Sequence, residues 1–189
     1  MKFKAIVIGT SMGGMRALQQ LLSSIEKDFT AAIIIVQHIG ASSDSYWIEA
    51  LNTICKLEIK EAEEKEKVIQ GCVYIAPPNY HLMIEKDETF SLSVDEKVNY
   101  ARPSVDVLFE SAASVYKEKL IGIILTGANN DGALGLWAVK KSGGLTIVQD
   151  PVTAEASAMP LAAIASTTAD YILPLNNIAE RIIKETNKY

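Results

Sequence analysis

The sequence is 189 residues long, 49% hydrophobic and 22% charged, with a formal net charge of −5 at neutral pH. That length can bury a full hydrophobic core, and the acidic balance argues against the broad electrostatic attraction to nucleic acid or anionic lipid that a basic chain would have. The longest apolar run, AAIIIV, falls far short of a membrane span, Cys55 and Cys72 are too few for a disulfide framework, and the start MKFKAIVIG runs into a glycine turn rather than a cleavage site, so a cytoplasmic protein is expected.

In chain order, short apolar runs alternate with amphipathic stretches. KAIVIG reads as a strand, and MRALQQLLSSI as a helix with Leu18, Leu21, Leu22 and Ile25 on one face. AAIIIVQH is a strand, followed by a helix in SDSYWIEALNTI with Ser43 or Asp44 as its N-cap. The charge run EIKEAEEKEK reads as a solvated surface segment. VYIAPP is a strand stopped by two prolines, and HLMIEKDETFSLSV reads as a hairpin turning at Lys86-Asp87-Glu88. SVDVLFESAASVYKE is a helix opening just after Pro103. LIGIILTG is a strand, and GALGLWAVKKSG a helix ending at Gly143-Gly144. LTIVQD, MPLAAIAST, YILPL and NIAERIIKET complete the chain as strand, short helix, strand and helix.

Strands written as unbroken Ile, Val and Leu are buried on both faces, as in a parallel sheet. The alternation therefore predicts an α/β fold: a doubly wound, mostly parallel sheet covered by helices on both faces, with one antiparallel β-hairpin. The sequence contains no internal repeat, low-complexity tract or linker, so residues 1–189 are expected to form a single domain.

In such sheets, sites form outside the carboxyl ends of the strands. Ser11 follows the first strand, His38 ends the second, and Asp131 lies in the loop GANNDG after GIILT. A serine hydroxyl becomes a nucleophile when a base takes its proton, and the base needs a third group to orient it. Gly9-Thr10-Ser11-Met12-Gly13 also spells G-x-S-x-G, a sharp strand-to-helix elbow, with helix N–H groups behind it to receive an oxyanion. Each residue has a plainer role open to it: Ser11 as a helix cap, His38 as a core histidine, Asp131 as a turn or capping aspartate. Their common position on one sheet edge favours the joint reading.

Other motifs do not fit. The α/β-hydrolase elbow has partners in the order Ser, acid, His, whereas neither histidine, His38 or His81, follows Asp131. A dinucleotide site needs G-x-G-x-x-G and an acidic end to strand two; the turn reads G-T-S-M-G-G and the strand ends in Gln37-His38. No cluster has metal-ligand spacing, and no cofactor is expected.

The segments VIGTSMGGMRALQQLL, VQHI, VYIAPPNYHLMIE, RPSVDVLFESAA, LTGANNDGALGL and QDPVTAEASAMPLAAI, in this order, resemble the catalytic domain of the bacterial chemotaxis protein-glutamate methylesterase, over almost the whole chain. The resemblance implies a Ser-His-Asp hydrolase with Ser11 as nucleophile, His38 as base and Asp131 as the orienting acid. It implies hydrolysis of glutamyl methyl esters, and deamidation of certain glutamines, on the cytoplasmic helices of methyl-accepting chemotaxis receptors. His81 falls in APPNYHL and reads as a site-rim or structural residue. Arg16 and Arg102 lie close to site segments and are expected either to pair with receptor carboxylates or to be ordinary solvated or structural arginines. The family often has Thr or Ala where Met12 stands, and Met and Gly where Ala128 and Asn129 stand; in the family those positions adjoin the nucleophile and the oxyanion site, which leaves open whether turnover here is reduced. The family's receiver domain would have to act on this chain as a separate protein. The alternatives are a catalytically weak or inactive binding module of the same fold, and a nucleotide-binding α/β domain.

Overall fold

The apolar runs become strands of one parallel sheet. The computed structural model describes residues 3–38 and 46–187. In chain order the strands are β1 (Ala5–Thr10), β2 (Ala32–Gln37), β3 (Glu58–Glu61), β4 (Cys72–Ile75), β5 (His81–Ile84), β6 (Phe90–Ser93), β7 (Leu120–Ile124), β8 (Leu145–Gln149) and β9 (Tyr171–Leu173). Seven of them pair in the order β3-β4-β2-β1-β7-β8-β9, every pairing parallel. β5 and β6 form a separate antiparallel hairpin, as the sequence suggested.

The helices are α1 (Gly14–Leu22), α2 (Tyr46–Ile54), α3 (Val105–Tyr116), α4 (Ala133–Lys141), α5 (Ala158–Ser166) and α6 (Leu175–Thr186). β1 shows how one apolar run serves two cores. Ile6 and Ile8 pack into a cluster with Leu18 and Leu21 of α1, Trp47 and Leu51 of α2, and Ile178 and Ile182 of α6. Ala5 and Val7 pack on the opposite side with Leu108 and Phe109 of α3, Leu136 of α4, Met159 of α5 and the hairpin residues Leu82 and Phe90. The period of two sends neighbouring side chains to opposite faces, and both faces are covered. Each such isoleucine contributes about 1.5–3 kcal/mol by burial.

The segment EIKEAEEKEK corrects its expectation. Its first four residues are β3, an edge strand paired with β4. Only Ile59 is buried in the core, while Glu58 stays exposed and Lys60 and Glu61 are partly exposed. Polar side chains suit an edge, where they discourage pairing with another chain. The expected N-cap at Ser43 or Asp44 lies outside the described residues. The last helix begins at Leu175, two residues before the expected start at Asn177, because Pro174 ends the strand and serves as its N-cap.

The strand order sets the position of the site. From β1 the chain winds outward to β2 on one side, and later returns to β7 on the other. The crevice at the carboxyl end of β1 is therefore a topological switch point.

Candidate active site

The elbow after β1 is a tight turn. Gly14 N–H donates to the Ser11 carbonyl at 2.9 Å, and Gly13 between them has φ 77° and ψ −4°. A positive φ at the third residue marks a type II turn and calls for glycine there. Among the described residues the Met12 and Gly13 N–H groups donate no hydrogen bond, as expected of donors at the entry to a helix. Four further bonds hold the elbow and the end of β2 beside it. Ser11 N–H donates to the Thr126 carbonyl at 3.0 Å. The Thr126 hydroxyl donates to the Met12 carbonyl at 2.8 Å. The Gln37 amide donates to both the Ser11 and the His38 carbonyls, each at 2.9 Å. One buried glutamine thus ties the Ser11 loop to the His38 loop.

His38 and Asp131 meet. Nε2 of His38 lies 2.9 Å from Oδ2 of Asp131, whose side chain is wholly buried while that of His38 is 12% exposed. Asp131 also accepts from Val105 N–H at 2.7 Å, Asp106 N–H at 3.1 Å and the Ser104 hydroxyl at 2.8 Å. Its carboxylate therefore sits on the N-terminus of α3, where free N–H groups and the helix dipole favour negative charge. Burial works against that charge. The bonds from His38, Val105, Ser104 and Asp106 outweigh it and hold the carboxyl below the usual aspartate range. An ionised Asp131 requires His38 to carry its proton on Nε2, which leaves the lone pair on Nδ1.

Ser11 and His38 line the same cleft, together with Asn79, Asn99, Tyr100 and Asn129. The Ser11 hydroxyl makes no hydrogen bond among the described residues. Nδ1 of His38 instead faces Nδ2 of Asn129 at 3.1 Å.

Several residues around the acid were not singled out by the sequence. Asn99 Nδ2 bridges Asp131 Oδ1 at 3.2 Å and Asp106 Oδ2 at 2.8 Å. Asp106 also accepts from Gly135 N–H of α4 at 2.7 Å. Burial, with the negative charge of Asp131 nearby, pushes the Asp106 carboxyl up to about 6 despite that bond. The one sequence signal was the Ser104 that precedes VDVLF, an N-cap type of residue. Here its hydroxyl serves Asp131 rather than its own helix.

The expected rim residues divide. His81 is structural: 2% exposed, it accepts from Ser104 N–H at 3.2 Å through Nδ1 and approaches the Glu96 carbonyl at 3.0 Å through Nε2. Arg102 donates to the carbonyls of Val94 and Asp95 at 2.6 and 2.8 Å. That favours the structural of its two expected roles. Arg16 is exposed and lies 3.9 Å from Glu155. The Met12 side chain is 56% exposed and does not fill the cleft.

Comparison with known proteins agrees with this architecture. The family model described as CheB methylesterase matches residues 6–182. A relative from Leptospira interrogans, provisionally named a protein-glutamate methylesterase/protein-glutamine glutaminase, is 56% identical over 97% of this chain and 95% of its own length. The protein-glutamate methylesterase/protein-glutamine glutaminase of Thermotoga maritima is 39% identical over 96% of this chain, which spans 54% of that longer protein. The crystal structure of the Thermotoga maritima CheB methylesterase catalytic domain superposes with a TM-score of 0.94 at 38% identity, covering 98% of this chain and all of that one. The chain belongs to the CheB methylesterase family.

Proposed function

We propose that residues 1–189 act as one protein-glutamate methylesterase domain in which Ser11, His38 and Asp131 hydrolyse γ-glutamyl methyl esters on the cytoplasmic helices of chemoreceptors. The same chemistry removes the amide of selected glutamines, as the names of the relatives indicate. The observation that carries this reading is the 2.9 Å contact between His38 Nε2 and a buried Asp131, in a cleft shared with Ser11.

In this mechanism Ser11 Oγ attacks the ester carbonyl as His38 Nδ1 takes its proton. Asp131 stabilises the resulting imidazolium through Nε2–H without itself accepting the proton. The N–H groups of Met12 and Gly13 receive the oxyanion of the tetrahedral intermediate. His38 returns its proton to the leaving oxygen, and methanol departs. A water, deprotonated by the same nitrogen, then attacks the acyl-serine and frees the glutamate carboxylate and the serine hydroxyl. With a glutamine substrate the leaving group is ammonia.

The test is methanol release from a methyl-esterified receptor cytoplasmic fragment. The parent releases methanol, and Ser11→Ala does not. Retention of release by Ser11→Ala in a folded protein overturns the assignment of the nucleophile.

A further inference from the structure

The Asn129 side chain closes a ring of hydrogen bonds around the acid and the base. Its Oδ1 accepts from Asp131 N–H at 3.1 Å, and its Nδ2 lies 3.1 Å from His38 Nδ1. His38 completes the ring through its 2.9 Å bond to the Asp131 carboxylate. The orientation of the amide follows from its neighbours. A backbone N–H needs an acceptor, so Oδ1 faces Asp131 N–H and the NH2 group faces the ring. Because Asp131 is ionised, Nε2 carries the ring proton, and Nδ1 is an acceptor with one lone pair. That lone pair is the one Ser11 needs.

We propose that Asn129 is a positioning residue that latches the base: in the resting site its amide occupies the Nδ1 lone pair of His38, and it must give up that bond before Ser11 can be deprotonated. The inference rests on the assignment of Ser11 and His38 given above. Two consequences follow. The amide fixes the ring in the orientation and tautomer that catalysis uses, since a proton on Nδ1 would meet another donor. It also competes directly with the Ser11 hydroxyl for one acceptor. Substrate docking that draws the half-buried Asn129 side chain away from the ring would couple binding to activation of the nucleophile.

The test separates the latch from a merely structural asparagine and from the triad itself. Asn129→Ser keeps an oxygen able to accept from Asp131 N–H but is too short to reach the ring. Asn129→Asp keeps the shape but replaces the donor with a second acceptor. The readout is the second-order rate at which a small sulfonyl fluoride labels Ser11, which needs no receptor. Freeing one neutral hydrogen bond is worth about a two- to tenfold change in rate. Asn129→Ser is expected to label faster than the parent by about that factor, and Asn129→Asp more slowly, because its carboxylate draws a proton onto Nδ1. Nitrogen-15 spectra of the imidazoles, with only His38 and His81 to assign, are recorded in the Ser11→Ala background so that no hydroxyl replaces the amide, and are expected to show Nδ1 of His38 moving toward the position of an unbonded ring nitrogen when Asn129→Ser is added. Slower labelling by Asn129→Ser, or an unmoved Nδ1 signal, overturns the latch. His38→Ala is the control for the site: if it labels as fast as the parent, the triad assignment fails, whereas slow labelling by His38→Ala with no effect of Asn129→Ser removes the latch alone.

Discussion

Asp131 receives five hydrogen bonds on two oxygens, from His38, Asn99, Ser104, Val105 and Asp106. Every one of those partners is a donor, so only a carboxylate satisfies them all. Asp131→Asn keeps the volume but points an NH2 group at one set of donors. If the amide nitrogen faces Val105 and His38, the ring loses the acceptor that holds Nε2–H. Methanol release by Asp131→Asn is expected to fall by as much as about 10⁴-fold, and stability by about 1–3 kcal/mol from the buried donors left unpaired. Had Asp131 served only to cap α4, asparagine would cap equally well and the change would be silent in both assays; near-parental release from the purified variant would sink the proposed role. Ser11→Ala and His38→Ala are each expected to abolish release, with the double variant no worse than either single one, because groups that act as a unit are not additive. Fully additive losses would count against the assignment. These three residues were legible in the sequence because a hydroxyl, an imidazole and a carboxylate stand at strand ends. Asn99 was not, since its role depends on a loop being folded back over a strand end far away in the chain, which no local pattern encodes.

At the scale of elements, two local devices build the site: the type II elbow into α1 and the start of α3 beneath Asp131. The first makes a sharp prediction. Gly13→Ala puts a Cβ at φ +77°, 2.7 Å from the Glu155 Cβ. Left-handed backbone costs an L-residue about 1–2 kcal/mol, and the clash with Glu155 displaces the turn that carries Ser11. Gly143, at the C-terminal end of α4, is the matched control. It also has a positive φ, +86°, but a Cβ there would meet nothing closer than 3.7 Å. Gly143→Ala is expected to lower the thermal midpoint with release per folded molecule unchanged, while Gly13→Ala lowers both. Equal catalytic rates for the two variants would show that the elbow does not position the nucleophile. Elements with a strong apolar period, such as α1 with Leu18, Leu21 and Leu22, were readable because that period is what buries them. β3 was missed because an edge strand of four residues with one core isoleucine carries no period to read. The start of α3 was readable from Pro103, but not its second task of holding the charge of a residue from another loop.

For the whole molecule, the two-faced sheet brings two buried carboxylates, Asp131 and Asp106, to one edge, and they respond to pH in opposite senses. The fold class was legible because continuous apolar strands need cover on both faces; the pairing of these acids was not, because it arises only when α3, α4 and the loop after β7 meet. Asp131 is held below the usual aspartate range, so its contribution to stability is present above about pH 4 and is lost as pH falls through its folded value. Asp106 is raised from 3.8 to about 6, chiefly by burial and then by the charge of Asp131. Its native state holds a proton that the unfolded chain releases near pH 4. The stability this proton brings is complete below about pH 4 and is lost as pH rises toward about pH 6. A carboxyl moved by that much changes the unfolding free energy by up to about 3 kcal/mol across the window. Asp106→Asn removes the titration while keeping an oxygen for Gly135 N–H. Its unfolding free energy is therefore expected to fall less than the parent's between about pH 4 and pH 6, or to rise, as the remaining carboxylates dominate. The measurement is urea unfolding at a series of pH values, compared by slope rather than by absolute stability, since the new amide also meets the Asn99 NH2 group. Parallel slopes for parent and variant would mean that Asp106 is ionised throughout, and that Asn99 bridges two full negative charges rather than one carboxylate and a group that protonates near pH 6.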